Sequence, residues 1–324
     1  VKKTVDATEE QLAKLRSGIL QMSTEIPLAA TEIAGIAEAA GQLGIKTDSI
    51  EGFTRVMADL GVATNMTSEQ AATSLARLAN ITQMPQENFD RLGSTIVDLG
   101  NNLATTESEI VEMALRLAGT GNQVGMTEAQ IMAFSGALSS VGIQAEAGGT
   151  AFSKLMSDMQ LATATGNQDL QNFAIVAGMS AQQFKQAFEE DASQAIIAFI
   201  QGLGMAQDSG TSAIKILDDM GITEVRMRDA LLRAAGASDI FVESLQIGNE
   251  AWDENTALTK EAEQRYQTLE SKIQLLKNGL TNLGIAAYEG FQEPLKNAVA
   301  TVTEQISSLT QSMQAGELQT AVQN

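Results

Sequence analysis

The sequence contains no cysteine and no histidine. Without cysteine, the chain can form no disulfide, no thiolate metal site and no cysteine nucleophile. Without histidine, it lacks the commonest general base near neutral pH and the commonest metal ligand. These two absences remove the most frequent catalytic and metal centres, so we expect no enzymatic activity and no cofactor.

Proline and aromatic residues are scarce as well. The 324 residues include 3 prolines and 4% aromatics, whereas 44% of the chain is apolar. Alanine, leucine, isoleucine and methionine must therefore fill the core, and small or unbranched apolar residues favour helix over sheet. No window alternates apolar and polar residues with β-branched enrichment, so the sequence predicts an all-α protein.

Positive charge is in short supply. Lysine and arginine number 20 against 40 aspartates and glutamates, which gives a net charge of -20. A surface this acidic repels phosphate backbones and anionic membranes, so we expect no specific nucleic-acid binding. We also expect no membrane span and no signal peptide, because no apolar run is long enough. The chain begins without methionine and stops inside a helical pattern, so we expect it to be a fragment.

A pattern of glycine, an apolar residue and a hydroxyl residue occurs at Gly125-Met126-Thr127, Gly178-Met179-Ser180 and Gly221-Ile222-Thr223. The glycine can take the left-handed conformation that closes a helix, and the Ser or Thr can cap the next one. The apolar residue between them can pack against the first turns of the new helix. This punctuation predicts roughly a dozen short helices, joined by tight turns, up to about residue 236.

The sequence changes character after about residue 237. Apolar residues then recur in steps of four and three, a heptad seam typical of a coiled coil. The seam comprises Ala262, Tyr266, Leu269, Ile273, Leu276, Leu280, Leu283 and Ala287. We therefore divide the chain into amino-terminal helices (1–44), a globular core of short capped helices (45–236) and a long coiled-coil-like helix (237–324), kinked near Pro294. The seam can join copies of the chain or pack onto preceding helices, and its narrowness and charged flanks favour self-association.

The most site-like segment is the glycine-rich run from Gly142 to Thr150, which includes Gly148 and Gly149. A glycine-rich loop before a helix can bind an anion on its free N–H groups. However, the run has no lysine or arginine, and its spacing fits neither a P-loop nor a dinucleotide fingerprint. We interpret it as a corner between helices, at which paired glycines allow close backbone approach.

Acidic pairs and the 14 methionines are the remaining candidate sites. A glycosidase needs two carboxylates, but 40 acids produce chance pairs, and one tryptophan and two tyrosines offer few platforms for sugars. Asp218 and Asp219 lack the ladder of acids in a calcium loop, and we interpret them as solvated acids near a helix end. The methionines can form an adaptable binding surface, but most lie on apolar stripes, which favours core filling.

A series of short segments occurs in a set order along the chain. The segments are 74–82 (SLARLANIT), 92–93 (LG), 99–102 (LGNN), 105–110 (TTESEI), 116–119 (RLAG), 125–128 (GMTE), 140–152 (SVGIQAEAGGTAF) and, later, 264–268 (QRYQT) through 284–285 (GI). Together they resemble the core region of phage tail tape measure proteins. Each segment alone is a helix-and-cap pattern, so the resemblance rests on their order and number.

The resemblance implies a structural protein of long-tailed phages or prophages. Such a protein threads the tail tube, sets the tail length and leaves ahead of the DNA. The resemblance also implies a homo-oligomer, a trimer in many tails, together with tail tube, tail chaperone and baseplate proteins as partners. Its place would be the interior of the virion tail, after assembly in the host cytoplasm.

The capped turns do not fit a protein that is extended along its whole length. They specify a compact helical domain, which is wider than a rod, so we expect residues from about 45 to 236 to lie outside the tail tube or at one end of it. Two other functions stay open on the sequence alone. One is a helical adaptor or effector that binds a partner protein, and the other is a muralytic enzyme.

Overall fold

The computed structural model describes residues 7–209 and 212–287, together with residues 303, 304 and 307. Over these residues the chain is helical and has no strand, which confirms the all-α prediction. The helices are α1 (Glu9–Glu25), α2 (Ala30–Gln42), α3 (Ile50–Ala63), α4 (Ser68–Thr82), α5 (Phe89–Asn102), α6 (Glu107–Gln123), α7 (Glu128–Ser140), α8 (Ala145–Thr165), α9 (Gln168–Val176), α10 (Ala181–Glu190), α11 (Ala192–Asp208), α12 (Ala213–Asp219), α13 (Val225–Ala235), α14 (Ser238–Glu254), α15 (Ala257–Tyr266) and α16 (269–287), with short 3-10 turns at Thr47–Ser49 and Gln86–Asn88.

Reciprocal side-chain caps begin several of these helices. In each one the hydroxyl oxygen of the cap residue accepts the backbone N–H three residues on, and the side chain there accepts the N–H of the cap. The pairs are Thr8 with Gln11, Thr67 with Gln70, Thr106 with Glu109, Thr127 with Gln130, and Ser180 with Gln183. Each such cap stabilises its helix by about 1 kcal/mol, which fixes the start of the helix locally.

One cluster of buried apolar side chains extends from Leu15 in α1 to Ala262 in α15. Phe241 of α14 shows how distant segments join it. Its ring lies edge-on to Phe134 of α7 at 5.5 Å and stacks on Phe152 of α8 at 6.2 Å. The cluster crosses residues 44/45 and 236/237, the two boundaries suggested by the sequence. The division into three domains stays a prediction, and the described helices on both sides of each boundary pack together.

The segment from residue 237, expected to be one long helix, consists of α14, α15 and α16 in its described part. The first break is at Asn255, whose φ of 51° is left-handed. Its side chain donates to Asp90 Oδ2 (2.6 Å) and accepts from Ser94 Oγ (3.1 Å), so α5 holds the break. The second break is at Gln267 and Thr268, where Thr268 Oγ1 caps α16 by accepting from Ser271 N (3.2 Å). The kink expected near Pro294 lies outside the described residues.

Candidate functional site

The corner between α6 and α7 contains the first of the three glycine motifs. Gly125 has a φ of +84°, and the N–H of Met126 donates back to Gly121 O (2.9 Å), which closes α6. Thr127 then caps α7 through its reciprocal bonds with Gln130, at 3.2 and 3.0 Å. Met126 and Ile131 are both buried beside Gly121. This corner consists of helix ends and an apolar contact, which is a structural arrangement.

The second motif is built in the same way, and the third is not. Gly178 (φ +70°) closes α9, and Ser180 caps α10. Gly221 (φ +76°) closes α12, but the cap residue of α13 is Glu224, without a side-chain cap bond, and Thr223 stands exposed before it. This corrects the expectation that Thr223 is the cap. Three residues after Thr223 stands Arg226, whose side chain has no acceptor oxygen to complete a reciprocal cap.

The glycine-rich run from Gly142 to Thr150 is mostly helix. Gly142 (φ +72°) makes the turn after α7, whereas Gly148, Gly149 and Thr150 lie in the first turns of α8. A Cβ atom at Gly149 would stand 2.6 Å from Cβ of Arg116 in α6, and one at Gly148 would stand 2.8 Å from Met113. The expected corner is therefore confined to the residues around Gly142. The paired glycines instead allow α8 to lie close against α6.

The heptad seam is split between two environments. Ala262 is buried, and Tyr266 is half-buried with its hydroxyl donating to Asp59 Oδ1 on α3. Burial raises the pKa of Asp59, and burial beside Asp59 raises the pKa of Tyr266. The next five seam side chains are exposed on α16: Leu269 (76%), Ile273 (54%), Leu276 (66%), Leu280 (62%) and Leu283 (68%). We call these five residues the apolar stripe.

The face of α16 opposite the stripe docks on α1 through polar side chains. Asn278 donates through Nδ2 to Ser23 O (2.8 Å) and Leu28 O (2.7 Å), at and just beyond the carboxyl end of α1. Asn282 donates to Ser23 Oγ (2.9 Å) and Leu20 O (3.3 Å). Sequence reasoning missed these contacts. The signal was present, because residues 271, 278 and 282 are small polar residues spaced seven and four apart on one helix face.

Charge is sparse around the stripe. From residue 269 to 287 the sequence has one acid, Glu270, and two lysines, Lys272 and Lys277. All three side chains are exposed. This helix therefore carries a small positive charge within a chain whose net charge is -20. Like-charge repulsion between copies is therefore smaller at this helix than the net charge of the chain alone would suggest.

Two large grooves formed by the described residues are mainly apolar. One groove, of about 510 Å³, is open and lies between α9, α11 and α12, and the other, of about 500 Å³, lies between α1, α2 and Ile285 of α16. Asp218 and Asp219 pair with Arg228 (3.5 Å) and Lys215 (2.8 Å) at the surface. Among the described residues, no group of three or more potential ligands could hold a metal ion. No helix in the same part of the chain has the length and apolarity that crossing a membrane requires.

Over the described residues, the fold and the surfaces define an all-helical protein whose most distinctive surface is a stripe suited to protein contact. The chain belongs to the phage-related minor tail protein family, whose family model matches residues 16–220, more than half of its length. It is similar to a probable tape measure protein of Clostridium phage phiCD119, with 23% identity over 320 residues, 97% of this chain and 33% of that protein. No solved structure matches the chain.

These matches confirm the resemblance to tape measure proteins predicted from the sequence. The family makes the chain a structural component of a phage tail. It spans about a third of the length of its curated relative. The matched region begins within α1 and ends after α12, so it covers the capped corners and the glycines between α6 and α8.

Proposed function

We propose that the chain is part of a tape measure protein, which sets the length of a phage tail and leaves the tail ahead of the DNA. The similarity to the probable tape measure protein of phage phiCD119, which extends over 97% of the chain, carries this proposal. The length-setting role belongs to the whole tail protein, since this chain corresponds to about a third of that relative.

Residues 7–209 and 212–266, from here on the body, have an architecture that suits an anchor better than a ruler. A ruler needs a length that grows with residue number, and a helix provides about 1.5 Å per residue. Yet α8, the longest of α1–α15, has 21 residues, and these helices fold back around one apolar cluster. We therefore place the body outside the tail tube or at one end of it, with the measuring function in other parts of the protein.

The partners proposed for the body are proteins. Tail tube, tail chaperone and baseplate subunits fit this role, together with further copies of the chain. The net charge of -20 is consistent with a protein that shares its tail with DNA, because an acidic surface does not adhere to a phosphate backbone. Contact with a partner would then depend on apolar surface and shape, and the apolar stripe of α16 supplies such a surface.

Electron microscopy of tails from a phage that encodes this chain tests the proposal. Without the tail protein that contains it, we expect tails to be absent or irregular in length, and the wild-type protein supplied in trans should restore a uniform length. Antibody fragments against the body should label one end of the tail. Uniform tails of normal length in the absence of the protein would contradict the proposal and favour an adaptor role.

A further inference from the structure

We propose that Asn278 and Gly279 form a deamidation site whose reaction releases α16 from the body irreversibly. Loss of the Asn278 amide removes the two hydrogen bonds that hold the middle of α16 on α1 and on the turn after it. The site lies on the docked face of the helix, opposite the apolar stripe. The inference does not depend on the tail-length role, so either proposal can fail without the other.

The sequence at this position favours the reaction, because Asn278–Gly279 is the single Asn-Gly pair of the sequence. In deamidation, the backbone nitrogen of the following residue attacks the side-chain carbonyl carbon of asparagine. A five-membered cyclic imide forms, and the amide group leaves as ammonia with the proton of the attacking nitrogen. Water then opens the imide to aspartate or isoaspartate. Glycine has no Cβ atom to hinder the attack, and its backbone reaches the required conformation readily.

The docked helix protects Asn278 from this reaction. The residue is 4% exposed, and its Nδ2 donates to Ser23 O (2.8 Å) and Leu28 O (2.7 Å). Asn278 and Gly279 both lie within α16, where the helical backbone directs the N–H of Gly279 to the preceding turn and not to the side chain of Asn278. The reaction therefore requires that α16 first leaves α1 and loses its helical backbone at this point.

A released α16 meets this requirement. An isolated helix of this length is marginal in water, so most of its stability comes from packing. The helix also contains Gly279 and Gly284, and glycine is a poor helix former. The hydrogen bonds of Asn278 and Asn282 to the body thus maintain both the position of α16 and its helical backbone.

Neither product of the reaction can return to the docked position. A carboxylate at position 278 has only acceptor oxygens, and it would face Ser23 O and Leu28 O, which are acceptors as well. Its charge would also be buried where the amide is neutral. Isoaspartate adds a methylene group to the backbone, which interrupts the helical hydrogen-bond pattern. Because docking slows the reaction and the reaction prevents docking, the release goes in one direction.

The break before α16 confines the effect to one helix. Tyr266 is the last residue of α15, and its hydroxyl donates to Asp59 Oδ1 on α3. Gln267 and Thr268 separate this contact from α16. Helix α15 also packs on α3 and α5, so it stays in place when α16 leaves. Release therefore frees the apolar stripe from its fixed orientation and leaves the core of the body intact.

Asn282 provides a comparison on the same helix face. Its Nδ2 donates to Ser23 Oγ (2.9 Å) and Leu20 O (3.3 Å), but the next residue is Leu283. The leucine side chain hinders the approach of the backbone nitrogen to the amide. The two asparagines share a docking role and differ in the residue that follows, so deamidation should be confined to Asn278.

Peptide mapping by mass spectrometry, after warm incubation of the whole chain at mildly alkaline pH, tests the inference. We expect deamidation at Asn278 before Asn282. Asn282→Ala removes two docking bonds, so Asn278 should react about tenfold faster in this variant than in the wild type. Unfolding in urea should give the fastest reaction. An Asn278 that stays intact in Asn282→Ala but reacts in urea would overturn the inference, because α16 would then not open.

Two further variants separate the chemistry from the release. A Cβ atom at Gly279 would meet no atom within 4 Å, so Gly279→Ala can keep the docked position. It should slow the reaction at Asn278 in the folded chain and in urea alike. Asn278→Asp reproduces one product, and we expect faster hydrogen exchange in residues 269–287 and unchanged exchange in α6 and α7. Wild-type protection of α16 in Asn278→Asp would overturn the release.

Discussion

The body and helix α16 bury opposite kinds of side chain. In the body, apolar periodicity is used within the chain: Phe134, Phe152 and Phe241 are almost fully buried, and α14 packs against α5 and α7. In α16 the buried face holds Ser271 and Asn278, whereas the leucines of the stripe, Leu269, Leu276, Leu280 and Leu283, are exposed. Both regions have amphipathic helices, but only the body uses its apolar faces for its own core. The same amphipathic pattern thus builds the apolar core of the body. In α16 it leaves an apolar face exposed, which another molecule can cover.

The difference also shows how a helix can be oriented without apolar burial. Asn278 donates to Ser23 O in the last turn of α1 and to Leu28 O just beyond it, and Asn282 donates to Leu20 O and Ser23 Oγ. Ser23 O is among the last four carbonyls of the helix, which lack partners within it. These bonds fix the rotation of α16 about its axis. The docking is not fully satisfied, because Asn282 Oδ1 is buried without a hydrogen bond within the described part of the chain. Polar docking of this kind sets geometry while contributing modest stability.

A matched pair of leucine substitutions should give the largest contrast between the regions. Leu117 in α6 is fully buried, and Leu276 in α16 is 66% exposed. We expect Leu117→Ala to lower the free energy of unfolding by about 2 to 5 kcal/mol, because it leaves a cavity. Leu276→Ala should change it by less than about 0.5 kcal/mol, measured by urea unfolding of dilute, monomeric protein. Equal losses would show that the stripe belongs to the core.

Glycine substitutions test the close packing inside the body with a smaller effect. A Cβ atom at Gly149 would stand 2.6 Å from Cβ of Arg116, whereas one at Gly119 would meet no atom within 4 Å. Gly149→Ala should therefore destabilise the protein by about 1 to 3 kcal/mol. Gly119→Ala, in the same pair of helices, should stabilise it by about 0.5 to 1 kcal/mol. Thermal unfolding checks both, and a neutral Gly149→Ala would rule out close contact between α6 and α8.

Removal of the polar docking should have the smallest effect on global stability. Asn278→Ala breaks two hydrogen bonds to α1 and should release α16 at a cost of about 1 to 2 kcal/mol, without unfolding the body. Hydrogen exchange should then be faster in residues 269–287 and unchanged in α6 and α7. Lys277→Ala, at the neighbouring exposed position, is the control. Unchanged protection of α16 in Asn278→Ala would mean that other contacts hold the helix.

Local features of this fold could be predicted, and features that depend on distant partners could not. The caps at Thr127 and Ser180 are readable because a glutamine follows each by three residues. The same rule predicts no reciprocal cap at Thr223, but it does not exclude a single hydroxyl cap, since Ser212 caps α12 with Lys215 three residues on. By contrast, the break at Asn255 depends on Asp90 and Ser94, more than 150 residues away, so no local pattern indicates it. The steps of four and three identified the seam of α16, but periodicity does not say what covers a helix face.

Sedimentation equilibrium of the whole chain tests the central claim most directly, namely that the stripe of α16 is a contact surface between copies. Wild type should shift reversibly from the 34.2 kDa monomer to an oligomer as concentration rises. The double variant Leu276→Asp and Leu280→Asp should remain monomeric, and Leu161→Asp, an exposed leucine of α8 outside the stripe, should behave like wild type. A wild-type chain that stays monomeric at about 100 μM, or an oligomer that survives both stripe substitutions, would contradict the account.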